Sequence, residues 1–119
     1  MQEIIKRYLE AWNETDADAR LALVESVWAA DGSYTDPLAD VCGPDAIAGL
    51  IGAAQQQFPG LEFTLGGTVD ANHNQARFTW HLGPDGGEPI VIGFDVVVLD
   101  SAGQIASVHG FLDKVPAAA

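Results

Sequence analysis

Apolar residues recur at helical spacing in three stretches of the first half of the chain. In the first stretch, "QEIIKRYLEAWNE", the apolar stripe leaves Lys6, Arg7 and Glu10 on the opposite side. This pattern predicts an amphipathic helix that carries Tyr8 on its buried face.

Two further helices are predicted before residue 60. The second begins near Asp16 or Asp18, either of which can cap it, and continues through Trp28 until "ADGS" ends it. The third opens at "GPDAIAGLI", where Pro44 suits the first helical position because the N–H group it lacks has no intrahelical partner there.

From Leu61 onward the hydrophobic period changes to two, which is typical of strands. Turns at "DANHN", "GPDGGEP" and "DSAG" divide this half of the chain into predicted strands over 61–70, 75–82, 90–99 and 104–115. The short aromatic stretch "GSYTD", residues 32–36, lies between two helices and is predicted to add an edge strand.

Helices followed by a curling meander predict a single α+β domain over residues 1–119. We expect three N-terminal helices on one face of a cone-shaped, curved sheet, mixed or antiparallel, whose interior is reached from one end. That end is the natural place for a pocket. The closing "PAAA" is expected to be a frayed end.

The chain is strongly acidic, with 17 Asp and Glu residues against 5 Lys and Arg and a net charge of −12. Such a charge repels phosphate backbones and anionic headgroups, so we expect no nucleic-acid partner and no membrane partner. The single cysteine, Cys42, excludes an internal disulfide, and the sequence shows no signal-peptide pattern and no long apolar span. A cytoplasmic location is expected.

One carboxylate stands in an unusual place. Asp95 lies within "PIVIGFDVVVLD", a continuous apolar run that is typical of a strand covered on both faces. An unpaired ionised carboxylate would be very costly there. Asp95 is therefore paired, or neutral, or bound by the backbone at a bulge beside Gly93, or its strand face is open to solvent.

Two more polar residues are candidates on position alone. Asp36 precedes Pro37 in "YTDP", where it can cap its own turn or, at the end of a short strand, point into the cone as a general base. Tyr8 lies on a buried helical stripe, where a tyrosine is either a core residue whose hydroxyl finds a partner or part of a site.

The histidines form no recognisable metal or nucleophile pattern. His73 falls in a turn, His81 shares a polar strand face with Arg77, and His109 on the last strand can face a pocket, a subunit contact or water. No His and carboxylate pair has metal-site spacing, and the glycine-rich segments connect strands to strands. We therefore expect neither a metal nor a cofactor.

Four segments taken in order resemble one known superfamily. "RYLEAWNETD", "VWAADGSYTDPL", "GPDAIAGLI" and "FDVVVLDSAGQIASVHGF" are similar to the nuclear transport factor 2-like superfamily, which holds SnoaL-like proteins and ketosteroid isomerases. The resemblance covers essentially the whole chain and implies a cystatin-like α+β cone. It also implies a homodimer formed through the exposed sheet face.

The same resemblance implies a steroid Δ-isomerase site. "KRYLE" places Tyr8 at the helix-1 tyrosine, "YTDP" places Asp36 at the base and "GFDVVVLD" places Asp95 at the second acid. In such a site Asp36 moves a proton next to a carbonyl, while Tyr8 and a protonated Asp95 donate hydrogen bonds to the enolate oxygen. Burial disfavours the charged form, so the apolar run would keep Asp95 neutral. Trp28 and Ile51 stand where isomerases often carry further tyrosines.

The expected ligand is a small apolar molecule, steroid-like or polyketide-like. The expected lining of its pocket is Trp28, Ile51, Phe63, Trp80, Val108 and Leu112. Two alternatives stay open. A SnoaL-like enzyme with another acid–base reaction, a cyclase or hydratase, would use His109 with Asp113. A ligand-binding or interaction module without catalysis would leave Asp36 and Asp95 structural.

Overall fold

The computed structural model describes residues 1–116, so the end expected to fray lies mostly outside the described residues. The helices are α1 (Gln2–Asn13), α2 (Ala17–Val27) and α3 (Pro44–Gln57). The strands are β1 (Trp28–Asp36), β2 (Ala39–Cys42), β3 (Glu62–Leu65), β4 (Asp70–Asn72), β5 (Gln75–Gly83), β6 (Val91–Leu99) and β7 (Ile105–Lys114). The α+β arrangement predicted from the sequence is confirmed.

All seven strands belong to one curved, mixed sheet in the order β2-β1-β7-β6-β5-β3, with β4 also paired to β5. β1 and β7 run parallel, and the other pairs are antiparallel. The sheet stays open, with β2 at one end and β3 at the other. The edge position predicted for residues 32–36 is wrong, because β2 pairs along the outer side of β1. The strand also begins earlier, at Trp28, where α2 has already ended.

The inner face of the sheet carries the hydrophobic core. Along β6, alternate residues from Val91 to Val97 are buried, while Phe94 and its outward neighbours are partly exposed. Buried residues of all three helices join the inward side chains in one core. The expectation that β6 is covered on both faces is therefore wrong for the described chain. The helices cover its inner face, and its outer face stays partly exposed.

Local capping explains where two helices start. The Asp16 carboxylate accepts a hydrogen bond from the Ala19 N–H at 2.9 Å, so Asp16 is the cap of α2. Pro44 is the first residue of α3 and follows Gly43, whose φ of 91° favours glycine. No helix within residues 1–116 has both the length and the apolar character that a membrane crossing requires.

Two side-chain amides tie the end of α1 to β3 and to α3. Asn13 at the end of α1 accepts from the Phe63 N–H at 2.7 Å and donates to the Phe63 carbonyl at 2.8 Å. Gln55 of α3 donates to the carbonyls of Trp12 and Glu14, both at 2.8 Å. The backbone around Trp12 is thus held from two sides.

Gly93 on β6 makes room for the indole of Trp80, its cross-strand partner on β5. A Cβ added at Gly93 would overlap ring atoms of that indole. We expect Gly93→Ala to lower the free energy of unfolding by about 1–3 kcal/mol, because the indole must move from its place. Urea unfolding measures this change.

Gly49→Ala on α3 is the control for that substitution. A Cβ at Gly49 meets nothing within 4 Å, so alanine there should leave stability unchanged or raise it by up to about 1 kcal/mol through its higher helix propensity. Equal stability of the two variants would contradict the close packing of Trp80 on Gly93.

Candidate functional site

A cavity of about 290 Å³ lies between α1, α3 and the inner face of the sheet. Most of its lining is apolar and includes Trp12, Leu50, Phe58, Phe63, Trp80 and Leu112. Tyr34, Asp36 and Gln57 supply the polar side chains. A concave apolar site with few polar groups is the usual form of a small-molecule pocket.

A second, much smaller cavity of about 10 Å³ adjoins the first. Trp12, Tyr34, Phe63 and Trp80 line both cavities, and the small one is completed by Tyr8, Leu9 and Asp95. A space of this size holds about one water-sized atom. Asp36 therefore faces the large cavity and Asp95 the small one behind it.

The structure divides the six side chains expected to line the pocket into two groups. Phe63, Trp80 and Leu112 line the large cavity. Trp28, Ile51 and Val108 are fully buried in the core and line neither cavity. These three are removed from the proposed substrate-binding set, because a side chain packed on all sides by core neighbours presents no surface to a ligand.

Asp36 ends β1 and organises the turn that follows. One carboxylate oxygen, Oδ1, accepts from the N–H groups of Leu38 and Ala39 at 2.8 and 2.9 Å. The other, Oδ2, accepts from the Tyr34 hydroxyl at 2.7 Å. Asp36 is thus both the turn residue and a wall of the large cavity.

Asp95 is paired with Tyr8, which answers the question that its position in the sequence raises. The Tyr8 hydroxyl donates to Asp95 Oδ2 at 2.6 Å, and each residue is only 1% exposed. Asp95 Oδ1 is buried and has no hydrogen-bond partner within residues 1–116. Trp28 and Phe78 pack around the phenol ring, with centroids 5.3 and 5.8 Å away.

The surroundings change the acidity of both members of this pair. Burial raises the pKa of Asp95 to about 6, the Tyr8 hydroxyl and the Trp80 indole N–H oppose the rise, and the charge of Asp36 adds to it. Burial, with the Asp95 charge, raises the pKa of Tyr8 well above its ordinary value. Tyr8 therefore keeps its proton, and Asp95 changes charge near pH 6.

Gly110 on β7 leaves space beside both Asp36 and Asp95. It is the cross-strand partner of Asp95, and a Cβ added there would lie 2.9 Å from Asp95 Oδ1 and 3.2 Å from Asp36 Cβ. A methyl group at this position would fill the space between the two acids. The structure thus brings the three predicted catalytic residues, Tyr8, Asp36 and Asp95, to two adjoining cavities.

Two aromatic residues at the site were missed in the sequence. Tyr34 stands two residues before Asp36 on the same strand face, and burial raises its pKa so that it remains a donor. Trp12 stands one helical turn after Tyr8 on the same face of α1. Both spacings were visible, but each residue also fits an ordinary core position.

The histidine alternative does not reach either cavity. His109 is exposed on the outer side of β7, with Nε2 3.2 Å from the Ser107 hydroxyl, and Asp113 is exposed as well. A pocket reaction shared by His109 and Asp113 is therefore not supported. Within residues 1–116, no three His, Cys, Asp or Glu side chains are grouped as a metal site requires.

Comparisons with known proteins agree with this architecture. Residues 5–108 match the family described as SnoaL-like domain. A candidate isomerase of the SnoaL-like family from Agrobacterium tumefaciens is 45% identical, with a TM-score of 0.89 over 94% of this chain and 96% of that one. No curated protein matches the chain in sequence.

Two more distant structures show the fold alone. An NTF2-like protein of unknown function from Cytophaga hutchinsonii is 12% identical, with a TM-score of 0.67 over 94% of this chain and 88% of that one. A candidate polyketide cyclase from Sinorhizobium meliloti is 20% identical, with a TM-score of 0.68 over 91% and 93%.

The chain therefore belongs to the SnoaL-like family and has the nuclear transport factor 2-like fold. The superfamily resemblance found in the sequence is confirmed. Family membership defines the cone and its internal cavity, whereas the reaction depends on the side chains inside it.

The raised pKa of Asp95 makes stability depend on pH. Between the unfolded value of 3.8 and the folded value of about 6, the folded state binds more protons than the unfolded state. Stability from this group is therefore present at low pH and decreases as pH rises through 6. Relative to Asp95→Asn, the wild type should lose up to about 3 kcal/mol of unfolding free energy between pH 4 and pH 8.

Urea unfolding of the two proteins at several pH values measures that difference. Asparagine keeps an oxygen that can accept from Tyr8 but does not titrate, so contributions from other groups largely cancel. A difference that stays constant with pH would show that Asp95 has its ordinary pKa, and one that grows in favour of the wild type as pH rises would show that this pKa is lowered; either result contradicts the prediction.

Proposed function

We propose that this protein is a cofactor-free enzyme that moves a proton next to the carbonyl group of a small apolar ketone. The supporting observation is the pair of carboxyl groups beside Gly110. Asp36 faces the large cavity and is held by three hydrogen bonds, while Asp95 is buried at the small cavity with a raised pKa. Pairs of acids in unlike surroundings suit acid–base catalysis.

Asp36 is the proposed base. Its ionised carboxylate removes a proton from the carbon next to the carbonyl, and the electron pair of that bond forms an enolate. The same carboxyl group then returns the proton to another carbon, so the double bond moves and nothing is gained or lost. The Tyr34 hydroxyl and the two turn N–H groups keep the carboxylate in place throughout.

Asp95 is the proposed donor to the enolate oxygen. In its protonated form Oδ1 carries the proton, because Oδ2 already accepts from Tyr8 at 2.6 Å. Tyr8 thus acts as a positioning residue, and its hydrogen bond makes the Asp95 proton a stronger donor. This arrangement differs from the one implied by resemblance, in which Tyr8 donates to the ligand directly.

The large cavity supports an apolar ligand. Its walls are aromatic and aliphatic, and its volume of about 290 Å³ admits a molecule of several fused rings. The 45% identical relative is described as a candidate isomerase, which favours double-bond migration over other reactions that begin with the same proton transfer. We therefore propose steroid-like or polyketide-like ketones as the ligand class.

Double-bond migration in a β,γ-unsaturated 3-ketosteroid is the direct test. The conjugated enone product absorbs in the ultraviolet, and Asp36→Asn should lower kcat/KM at least about 100-fold because the base is lost. In the wild type, kcat/KM should decrease as pH rises above about 6, where free Asp95 loses its proton.

Asp40→Asn is the matched control. Asp40 on β2 accepts from the Thr35 hydroxyl at 3.0 Å, is exposed and lines neither cavity, so this variant changes the same charge without touching the site. Equal loss of kcat/KM in both variants would contradict a base at Asp36.

Deuterium exchange of the α-protons of 2-tetralone extends the test. Exchange without steroid turnover would indicate that the substrate is another ketone, such as a cyclase or hydratase substrate. If the protein catalyses neither steroid turnover nor proton exchange, a binding module without catalysis remains.

The outer face of the sheet supports a second proposal, a homodimer. Phe94 and Phe111 are cross-strand partners on that face, Phe111 is 56% exposed, and the apolar outward residues of β6 continue the patch. The run around Asp95 has the composition of a strand covered on both faces, and a second copy of the chain would cover its open outer face.

The cytoplasmic location expected from the sequence also stays a prediction.

Phe111→Glu should convert the dimer into a monomer, because it places a charge within the apolar patch. Light scattering after gel filtration measures the mass. Leu65→Glu is the control, since Leu65 is also apolar and 40% exposed. Leu65 lies on β3 as the cross-strand partner of Trp80, so it is on the inner side of the sheet and outside the proposed interface. A wild type of single-chain mass, or a Phe111→Glu variant that stays dimeric, would contradict the proposed interface.

A further inference from the structure

Two buried polar atoms at the small cavity lack hydrogen bonds. Among the buried side-chain nitrogen and oxygen atoms of residues 1–116, three have no partner: Trp12 Nε1, Trp28 Nε1 and Asp95 Oδ1. Trp12 and Asp95 both line the small cavity, whereas Trp28 does not. The Trp80 indole N–H lies near enough to Asp95, and the Trp12 N–H near enough to Tyr8, to lower the pKa of each group, but Trp12 Nε1 and Asp95 Oδ1 still have no hydrogen bond. Because buried polar atoms in native proteins are nearly always hydrogen-bonded, the pair at the cavity indicates a further partner atom that the chain does not supply.

The Trp12 indole is held at this cavity by its surroundings. Tyr34 and Phe63 contact its ring, with centroid distances of 5.4 and 5.2 Å. Gln55 binds its carbonyl, and Asn13, the next residue, is bound to β3. Trp12 is also 93% buried, so its N–H is both desolvated and positioned before any ligand arrives.

The chemistry of the two atoms restricts what the partner can be. An indole N–H only donates, so the partner atom must accept from it. A protonated Asp95 also donates through Oδ1, because Oδ2 is engaged by Tyr8. A carbonyl or enolate oxygen meets both requirements, because it accepts two hydrogen bonds and carries no proton. A water molecule is the competing occupant, since it can accept from Trp12 and either accept from a protonated Asp95 or donate to an ionised one.

We propose that the small cavity receives the carbonyl oxygen of the ligand and that Trp12 is its second hydrogen-bond donor, beside Asp95. The carbon skeleton of the ligand then occupies the adjoining large cavity, whose aromatic wall both cavities share. This inference rests on the proposed function. Tyr8 cannot donate to the ligand while its proton is bound to Asp95, and Trp12 takes that role instead. Trp12 Nε1 then binds the oxygen on which negative charge develops.

The test compares 1-tetralone with tetralin, which has the same ring skeleton without the oxygen. In wild-type protein the carbonyl stretching frequency of bound 1-tetralone should move to lower wavenumber than in an apolar solvent. Trp12→Phe should reverse part of that shift, because the Asp95 donor remains, and should weaken 1-tetralone binding about tenfold, which corresponds to one hydrogen bond. Tetralin binding should change much less, because phenylalanine retains most of the apolar surface.

Trp28→Phe is the matched control, since it removes an equally buried and unpartnered indole N–H from the core. It should leave the carbonyl frequency of bound 1-tetralone unchanged. Nitrogen NMR of the wild type provides a measurement without any substitution. The indole N–H signal of Trp12, one of three tryptophans, should move downfield with 1-tetralone and not with tetralin.

Three outcomes would overturn the inference. The first is a carbonyl frequency that is the same in the wild type and in Trp12→Phe. The second is a ketone that binds no better than tetralin, and the third is that neither compound binds. The first two would assign the small cavity to a water molecule. Because infrared and NMR measurements require no turnover, a shifted carbonyl without proton exchange would reject the catalytic proposal and retain the binding site, whereas exchange without the Trp12 effect would do the reverse.

Discussion

The burial of one carboxyl group at the centre of the sheet constrains the rest of this structure. Asp95 on β6 needs a donor, because an unsatisfied buried carboxylate is very costly. That donor is Tyr8, which is 87 residues away in the sequence, so α1 must cross the inner face of the sheet beside Asp95. The neighbouring strand must also leave space, which Gly110 provides. Helix placement, strand register and the site therefore depend on one another.

Asp36 has a conformational role and a proposed chemical role at the same position. Three hydrogen bonds order the turn between β1 and β2 around its carboxylate. The same bonds hold that carboxylate at the wall of the large cavity, so a base placed there needs little reorganisation during a reaction. The turn explanation and the catalytic explanation, which compete when only the sequence is known, are compatible in the structure.

The aromatic wall between the two cavities separates apolar from polar surroundings. Trp12, Tyr34, Phe63 and Trp80 come from α1, β1, β3 and β5, and they line both spaces. Large rings fill this wall, and Gly93 accommodates one of them. A ligand with a carbon skeleton and one polar atom matches this division. The SnoaL-like family supplies the cone, while these side chains decide what the interior can bind.

Local pattern by itself predicted the three helices and the strands β5, β6 and β7, because periodicity and capping depend on near neighbours. It joined β3 and β4 into one strand and did not show β2. It also marked Tyr8, Asp36 and Asp95, since a polar residue within an apolar pattern is unusual over a few positions. It misjudged Trp28 and missed Trp12, because periodicity shows that a side chain is buried but not what it is buried against. Only the tertiary structure decided which aromatic residues face a cavity, since the cavity walls come from elements far apart in the chain.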